Sequence, residues 1–271
     1  MGAKIYILNE GTCKVNPFAT RNFVYGKLTG RIPSVVTGGP TVAAIWAEEC
    51  GIVYDSGDTL DRTVLEKNIG ARKPDYVVAG HTHPDHFANN DMFPAARWFY
   101  PIGDEALESV LTGTGEYAKF SGLYQGLPEA SRDTKKFERL DPAKLPEDWP
   151  ELVDVIETDG HMIGHQSLVI RSADTPIEVN NIASAEKSEE KTVVLAGDAI
   201  ISKDYVQRFF KGDYRHAAYN ISFYDGTPRE QTQRGKEIGS MARLFELVGD
   251  DGLIVPGHGK PFRLSEVRKN G

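Results

Sequence analysis

Residues 81–86 read His-Thr-His-Pro-Asp-His, three imidazoles and a carboxylate within six positions of a chain that has seven histidines in 271 residues. Chance assembly of that string has odds on the order of one in several thousand at this composition. Residues two apart in extended backbone project to one side, so His81, His83 and Asp85 converge. Pro84 biases His83 toward the extended region. His86 is out of phase and needs a turn after Pro84, which carries it toward a second point. A ligand set divided in this way suits two adjacent divalent cations. Imidazole and carboxylate without thiolate favour zinc first, with iron, manganese or cobalt as alternatives. The competing reading is a polar, histidine-rich surface loop.

Further ligands must come from elsewhere in the fold. Three short apolar runs each end in Gly or Pro and then a polar residue: Tyr76–Ala79 before Gly80-His81, Thr192–Ala196 before Gly197-Asp198, and Leu253–Val255 before Pro256-Gly257-His258. Such runs predict strands covered on both faces. In α/β folds, function gathers in the loops at the carboxyl ends of strands. Further strands are predicted at Thr41–Trp46, Gly51–Tyr54, Ala96–Tyr100, Val153–Glu157 and Gln166–Arg171, and helices at Thr59–Ile69, Asp104–Leu111 and Gln231–Val248. The last helix presents Ile238, Met241, Ala242, Phe245 and Val248 as one core-facing stripe. Interleaved strands and helices predict an α/β or α+β class. Residues 1–271 read as a single domain. Gly113–Pro150, rich in Gly, Pro and aromatics, reads as a lid or insertion over a cleft, and Ala173–Lys191 as a solvated hairpin excursion.

The order of these features resembles the metallo-β-lactamase fold superfamily. Asp55-Ser56-Gly57 after an early strand is followed by the His81–His86 string, then Gly160-His161, Gly197-Asp198 and Pro256-Gly257-His258. The resemblance spans roughly Val42 to Pro261. It implies a four-layer αββα sandwich with a metal site at one edge, between two sheets. It also implies that His81, His83 and His161 hold one ion, that Asp85, His86 and His258 hold a second, and that Asp198 bridges them. Asp55 is then the residue that braces the histidine loop, since a ligating imidazole needs its other nitrogen held. His165 sits behind the ligands or in the core, with the exchange of His161 and His165 as the alternative.

Two cations about 3.5–4 Å apart hold a bridging hydroxide at neutral pH and polarise a carbonyl or phosphoryl oxygen. Asp85 would orient the hydroxide and shuttle its proton. The expectation is a dinuclear metallo-hydrolase of a small carbonyl substrate, a lactone or related cyclic ester or amide. The alternatives are a glyoxalase II-like thioesterase or a phosphodiesterase. From another class comes a non-catalytic, metal-stabilised binding module. Gly164-His165-Gln166-Ser167-Leu168 and Gly197-Asp198-Ala199 are similar to the family's N-acyl-homoserine lactonases. Those enzymes carry a tyrosine three residues beyond the bridging aspartate, where this chain has Ile201. Tyr205, His216, Tyr219 and Tyr224 are the candidate substrate contacts that follow.

Composition narrows the partners. A formal net charge of −8 disfavours nucleic acid. No apolar run reaches the roughly 20 residues of a membrane helix, and residues 1–10 lack the pattern of a signal peptide. Two cysteines, Cys13 and Cys50, fit a reducing cytoplasm. An apolar stripe at Phe18, Phe23, Val24, Tyr25 and Leu28 covers its own subunit or packs in an oligomer.

Overall fold

The computed structural model describes residues 2–11, 14–15, 36–37, 39–47, 49–101, 128–132, 136–213 and 228–268. In chain order the elements are β1 (Lys4–Asn9), β2 (Lys14–Val15), β3 (Val36–Thr37), β4 (Val42–Ala47), β5 (Cys50–Tyr54), α1 (Arg62–Ile69), β6 (Tyr76–Val78), α2 (Pro84–Phe87), β7 (Arg97–Pro101), β8 (Phe137–Leu140), β9 (Val153–Glu157), β10 (Gln166–Arg171), β11 (Ile177–Asn181), β12 (Glu186–Glu190), β13 (Thr192–Gly197), α3 (Lys203–Phe210), α4 (Pro228–Val248), β14 (Leu253–Pro256), β15 (Phe262–Arg263) and α5 (Leu264–Arg268).

Two sheets carry the fold. The first runs β12-β11-β1-β4-β5-β6-β7-β8 and the second β15-β14-β13-β10-β9. Their inner faces meet in one apolar layer, where Ile5, Ile45, Ile52, Tyr54 and Val78 of the first sheet pack with Leu168, Ile170, Val193, Leu195 and Val255 of the second. The alternate residues face outward onto helices. Val53 and Val77 join Leu65 and Ile69 of α1. Val169, Val194 and Ile254 join Met241, Leu244, Phe245 and Val248 of α4, together with Val206 of α3 and Val267 of α5. The order helix, sheet, sheet, helix is the expected αββα sandwich. Because both faces of these strands are covered, they read as unbroken apolar runs rather than alternating ones.

Some expectations need correction. Ala173–Lys191 is not a solvated excursion: β11 pairs parallel with β1 and antiparallel with β12, so the hairpin widens the first sheet. Ile177 and Val179 point into the core, while the charged β12 forms the edge, where its exposed residues concealed the strand. Within Gly113–Pro150, the described part belongs to the body of the fold. Phe137–Leu140 forms β8, parallel to β7. Trp149 is buried, and its indole N–H donates to the Val153 carbonyl oxygen at 2.7 Å. Residues 113–127 and 133–135 lie outside the described residues, as do the helix expected at Asp104–Leu111 and the stripe Phe18–Leu28. The helix expected at Thr59–Ile69 opens with a separate 3-10 turn, Thr59–Asp61, capped by the Asp58 carboxylate. Among the described residues, no helix is long and apolar enough to cross a membrane.

Candidate metal centre

Five strand ends converge at one edge of the sandwich. Asp55 follows β5, the 81–86 string follows β6, His161 lies in the turn between β9 and β10, Asp198 follows β13 and His258 follows β14. The first two belong to the first sheet and the other three to the second, so the cluster straddles the sandwich. The loops are tied across the gap: Gln166 N–H donates to the Gly80 carbonyl oxygen at 2.8 Å, and Tyr54 O–H donates to the Gln166 carbonyl oxygen at 2.7 Å. His83 is extended (φ −68°, ψ 141°), as the following proline dictates, and Pro84 then opens α2, which turns Asp85 and His86 inward.

The side chains fall into two groups. His81, His83, His161 and Asp198 each offer a ligand atom, all within 4.8 Å of one another; Asp85, His86 and His258 form the second such group. Asp198 joins them. Its Oδ2 lies 3.2 Å from His161 Nε2 and 3.9 Å from His81 Nε2. Its Oδ1 lies 3.4 Å from His86 Nε2 and 3.3 Å from His258 Nε2. Asp85 Oδ2 stands 3.8 Å from His86 Nε2 and 3.9 Å from His258 Nε2. His83 turns its Nδ1 inward, 3.1 Å from His161 Nε2.

The donor set fits divalent ions. His81 Nε2, His86 Nε2 and Asp198 Oδ1 are buried without a hydrogen-bond partner, an arrangement that is costly unless something else satisfies them. Three other imidazoles of the two groups pack around His81, with ring centroids 4.1 Å (His86), 4.5 Å (His83) and 4.9 Å (His161) away. Electrostatics divides the rings. Burial, then neighbouring imidazoles, holds His81 well below its ordinary value and His83 at about 3, which keeps both rings neutral, each with one unprotonated nitrogen able to coordinate. Burial pulls His86 and His258 the same way, but carboxylates win: Asp55 and Asp198 raise His86 well above its usual value, and Asp198 raises His258. Burial would raise Asp198, yet His258, His86 and His161 hold it well below the usual carboxylate range.

Around the two groups stands a bracing layer. Asp55, fully buried and with φ of 55°, accepts from Gly80 N–H through Oδ1 and binds His86 Nδ1 through Oδ2, both at 2.8 Å. His258 Nδ1 lies 3.2 Å from the Gly39 carbonyl oxygen. Thr41 fixes that segment: its N–H donates to Gly257 O at 2.6 Å and its hydroxyl to Gly259 O at 3.3 Å. The Gly39–Thr41 brace escaped the sequence reading, because nothing in Gly-Pro-Thr announces a partner more than two hundred residues away. His165 is buried behind the cluster, hydrogen-bonded through Nδ1 to Thr158 Oγ1 at 2.8 Å, and belongs to neither group. Ile201 is buried, and its carbonyl oxygen accepts from His258 N–H at 2.7 Å. Tyr205 lies half-buried on α3 outside both groups. His216, Tyr219 and Tyr224 lie outside the described residues.

A Caenorhabditis elegans protein without a described activity is 25% identical over 228 residues, which cover 81% of this chain but 47% of that relative, so the chain spans about half the length of the curated relative it matches. Among solved structures, a Thermotoga maritima protein provisionally named a metallo-beta-lactamase superposes with a TM-score of 0.60 at 17% identity, covering 97% of this chain and all of that one. A quorum-quenching N-acyl homoserine lactone hydrolase gives 0.56 at 18% identity, covering 95% and 93%. B. thuringiensis AiiA, with N-decanoyl-L-homoserine bound at its active site, gives 0.55 at 16%, covering 95% and 94%. At these identities the likeness speaks for the fold. The sequence profile of the metallo-beta-lactamase superfamily matches residues 36–258, which spans every residue of both ligand groups, and the chain belongs to that superfamily.

Proposed function

We propose that this protein is a metal-dependent hydrolase that opens a lactone or related cyclic ester or amide, with two divalent ions, zinc first, as cofactors. The observation that carries this reading is the division of Asp198, whose two oxygens face different histidines. A structural zinc site is usually closed by four ligands and needs no such shared carboxylate. His81, His83 and His161 would hold one ion, Asp85, His86 and His258 the other, and Asp198 both. When bound, the pair supplies Lewis acidity toward a carbonyl oxygen and an activated water.

The chain's own groups divide the remaining work. Asp85 is the most solvent-open carboxylate of the set, its side chain 27% exposed against 7% for Asp198, so it is placed to take a proton and pass it to a leaving alkoxide. Asp55 fixes the tautomer of His86 by accepting its Nδ1–H. The lactone class draws support from the Gly164–Leu168 run and from the two lactone-directed structures of similar fold. Ile201 cannot donate a hydrogen bond from its side chain, so a substrate carbonyl must find its donor at another residue.

A panel of lactones, thioesters and phosphodiesters, run on protein of measured metal content, tests the proposal. Saturable ring opening of a lactone, lowered at least about a hundredfold in His83→Ala, is the expected result. Metal-loaded protein that turns over nothing on the panel would overturn the hydrolase reading in favour of a binding module. Preference for a thioester or phosphodiester would overturn only the substrate class.

A further inference from the structure

His161 lies on a turn between β9 and β10, and the fold secures that loop from outside the cluster. The loop runs from Thr158 to His165 and closes on itself through Thr158 N–H to the His165 carbonyl oxygen at 2.7 Å. Between these ends, Asp159 makes three contacts. Its Oδ1 accepts from Gly164 N–H at 2.6 Å, spanning the loop across His161. Its carbonyl oxygen accepts from the Ser240 hydroxyl at 2.7 Å, and its Oδ2 pairs with Lys236 Nζ at 3.1 Å. Lys236 and Ser240 are one turn apart on α4, so both anchors come from one helix face. Gly160, at φ of 137°, lies flat on that face, where a Cβ would collide with the Glu237 backbone.

We propose that Asp159 is a positioning residue for His161: its carboxylate pins the loop and its carbonyl oxygen, held by Ser240, registers it against α4, so that affinity for the ion of the His81/His83/His161 group depends on a residue that touches neither metal nor substrate. The inference rests on the metal reading above. The two contacts that matter are the bond to Gly164 N–H, which shapes the loop, and the bond from Ser240, which docks it. The Lys236 pair is nearly half exposed, 45% and 37%, and screening by solvent makes it the weakest of the three.

The test uses Co2+ as the probe on the full chain, by equilibrium titration and by the visible d–d spectrum. His161→Ala identifies which spectral component belongs to its group. Asp159→Ala is expected to weaken that component's binding about tenfold and to alter its band, with the other component unmoved. Asp159→Asn keeps an oxygen acceptor for Gly164 N–H and is expected to recover most of the loss, and Lys236→Ala to stay within about twofold of wild type. If Asp159→Ala fails to fold, Ser240→Ala carries the test, with a smaller loss in the same direction. Wild-type affinity and spectrum in Asp159→Ala, or in Ser240→Ala where that variant stands in, would overturn the inference. A wild-type protein that takes up no cobalt would overturn the metal reading first, and this inference with it.

Discussion

Asp55 shows how much of the centre is set by single side chains outside the ligand set. It is buried, held at a positive φ, and bonded at once to Gly80 N–H and His86 Nδ1. Burial raises its pKa, although His86 and Gly80 N–H oppose that shift. Asp55→Ala is expected to weaken ion binding at the Asp85/His86/His258 group by about 10–100-fold, measured by metal titration. Unchanged affinity would mean that His86 needs no brace. Asp55→Asn isolates the charge, because asparagine tolerates the left-handed backbone that most residues resist. At this scale the sequence was most informative. Histidines, seven in 271 residues, are scarce enough that their spacing in 81–86 is itself a signal, and Gly-His and Gly-Asp mark the partners. Thr41 carried no signal, because a threonine that fixes the segment around His258 reads like any other.

Among elements, the glycines that end the strands allow the close approach of the loops. Gly197, the last residue of β13, has φ of 52°, and a Cβ there would stand 2.6 Å from the Tyr54 hydroxyl oxygen and 2.9 Å from His165 Nε2. Gly197→Ala is therefore expected to destabilise the chelated protein by about 1–3 kcal/mol in denaturant unfolding and to displace Asp198. A midpoint equal to that of wild type would show that the loop has room to yield. Core strands were legible because both faces are covered: β6, β10, β13 and β14 appear as apolar runs. Edge strands were not. The Glu-Lys-Ser-Glu-Glu sequence of β12 is polar by the requirements of an edge, and β8 alternates too briefly to register. β1 also escaped, although Lys4–Asn9 lies between β11 and β4 near the middle of the wider sheet.

For the whole molecule, the clustered histidines tie stability to pH. In the metal-free fold, desolvation leads the causes that depress His81, His83 and His165, so these stay neutral where the unfolded chain, with values near 6.5, takes up protons. Their contribution is present above about pH 6.5 and fades on acidification toward the folded values, about 3 for His83. His86 and His258 are raised, so theirs is complete below about pH 6.5 and fades as pH rises through their folded values. The chelated protein is expected to show its highest thermal midpoint near neutrality, with a loss on either side. Ions held as proposed would replace the protons on His86 and His258 and remove the alkaline limb. A midpoint for the chelated protein that climbs steadily to pH 9 would contradict this balance.

The two-sheet architecture exists, for function, to bring six side chains from three strand ends around one shared carboxylate from a fourth. The most direct test of that claim is the number of tightly bound divalent ions per chain, measured by elemental analysis after metal loading and gel filtration, in wild type and in Asp198→Ala. Two ions per chain in wild type and fewer in the variant is the predicted result. Wild-type protein that retains none, or an Asp198→Ala protein that keeps both with undiminished affinity, would contradict it.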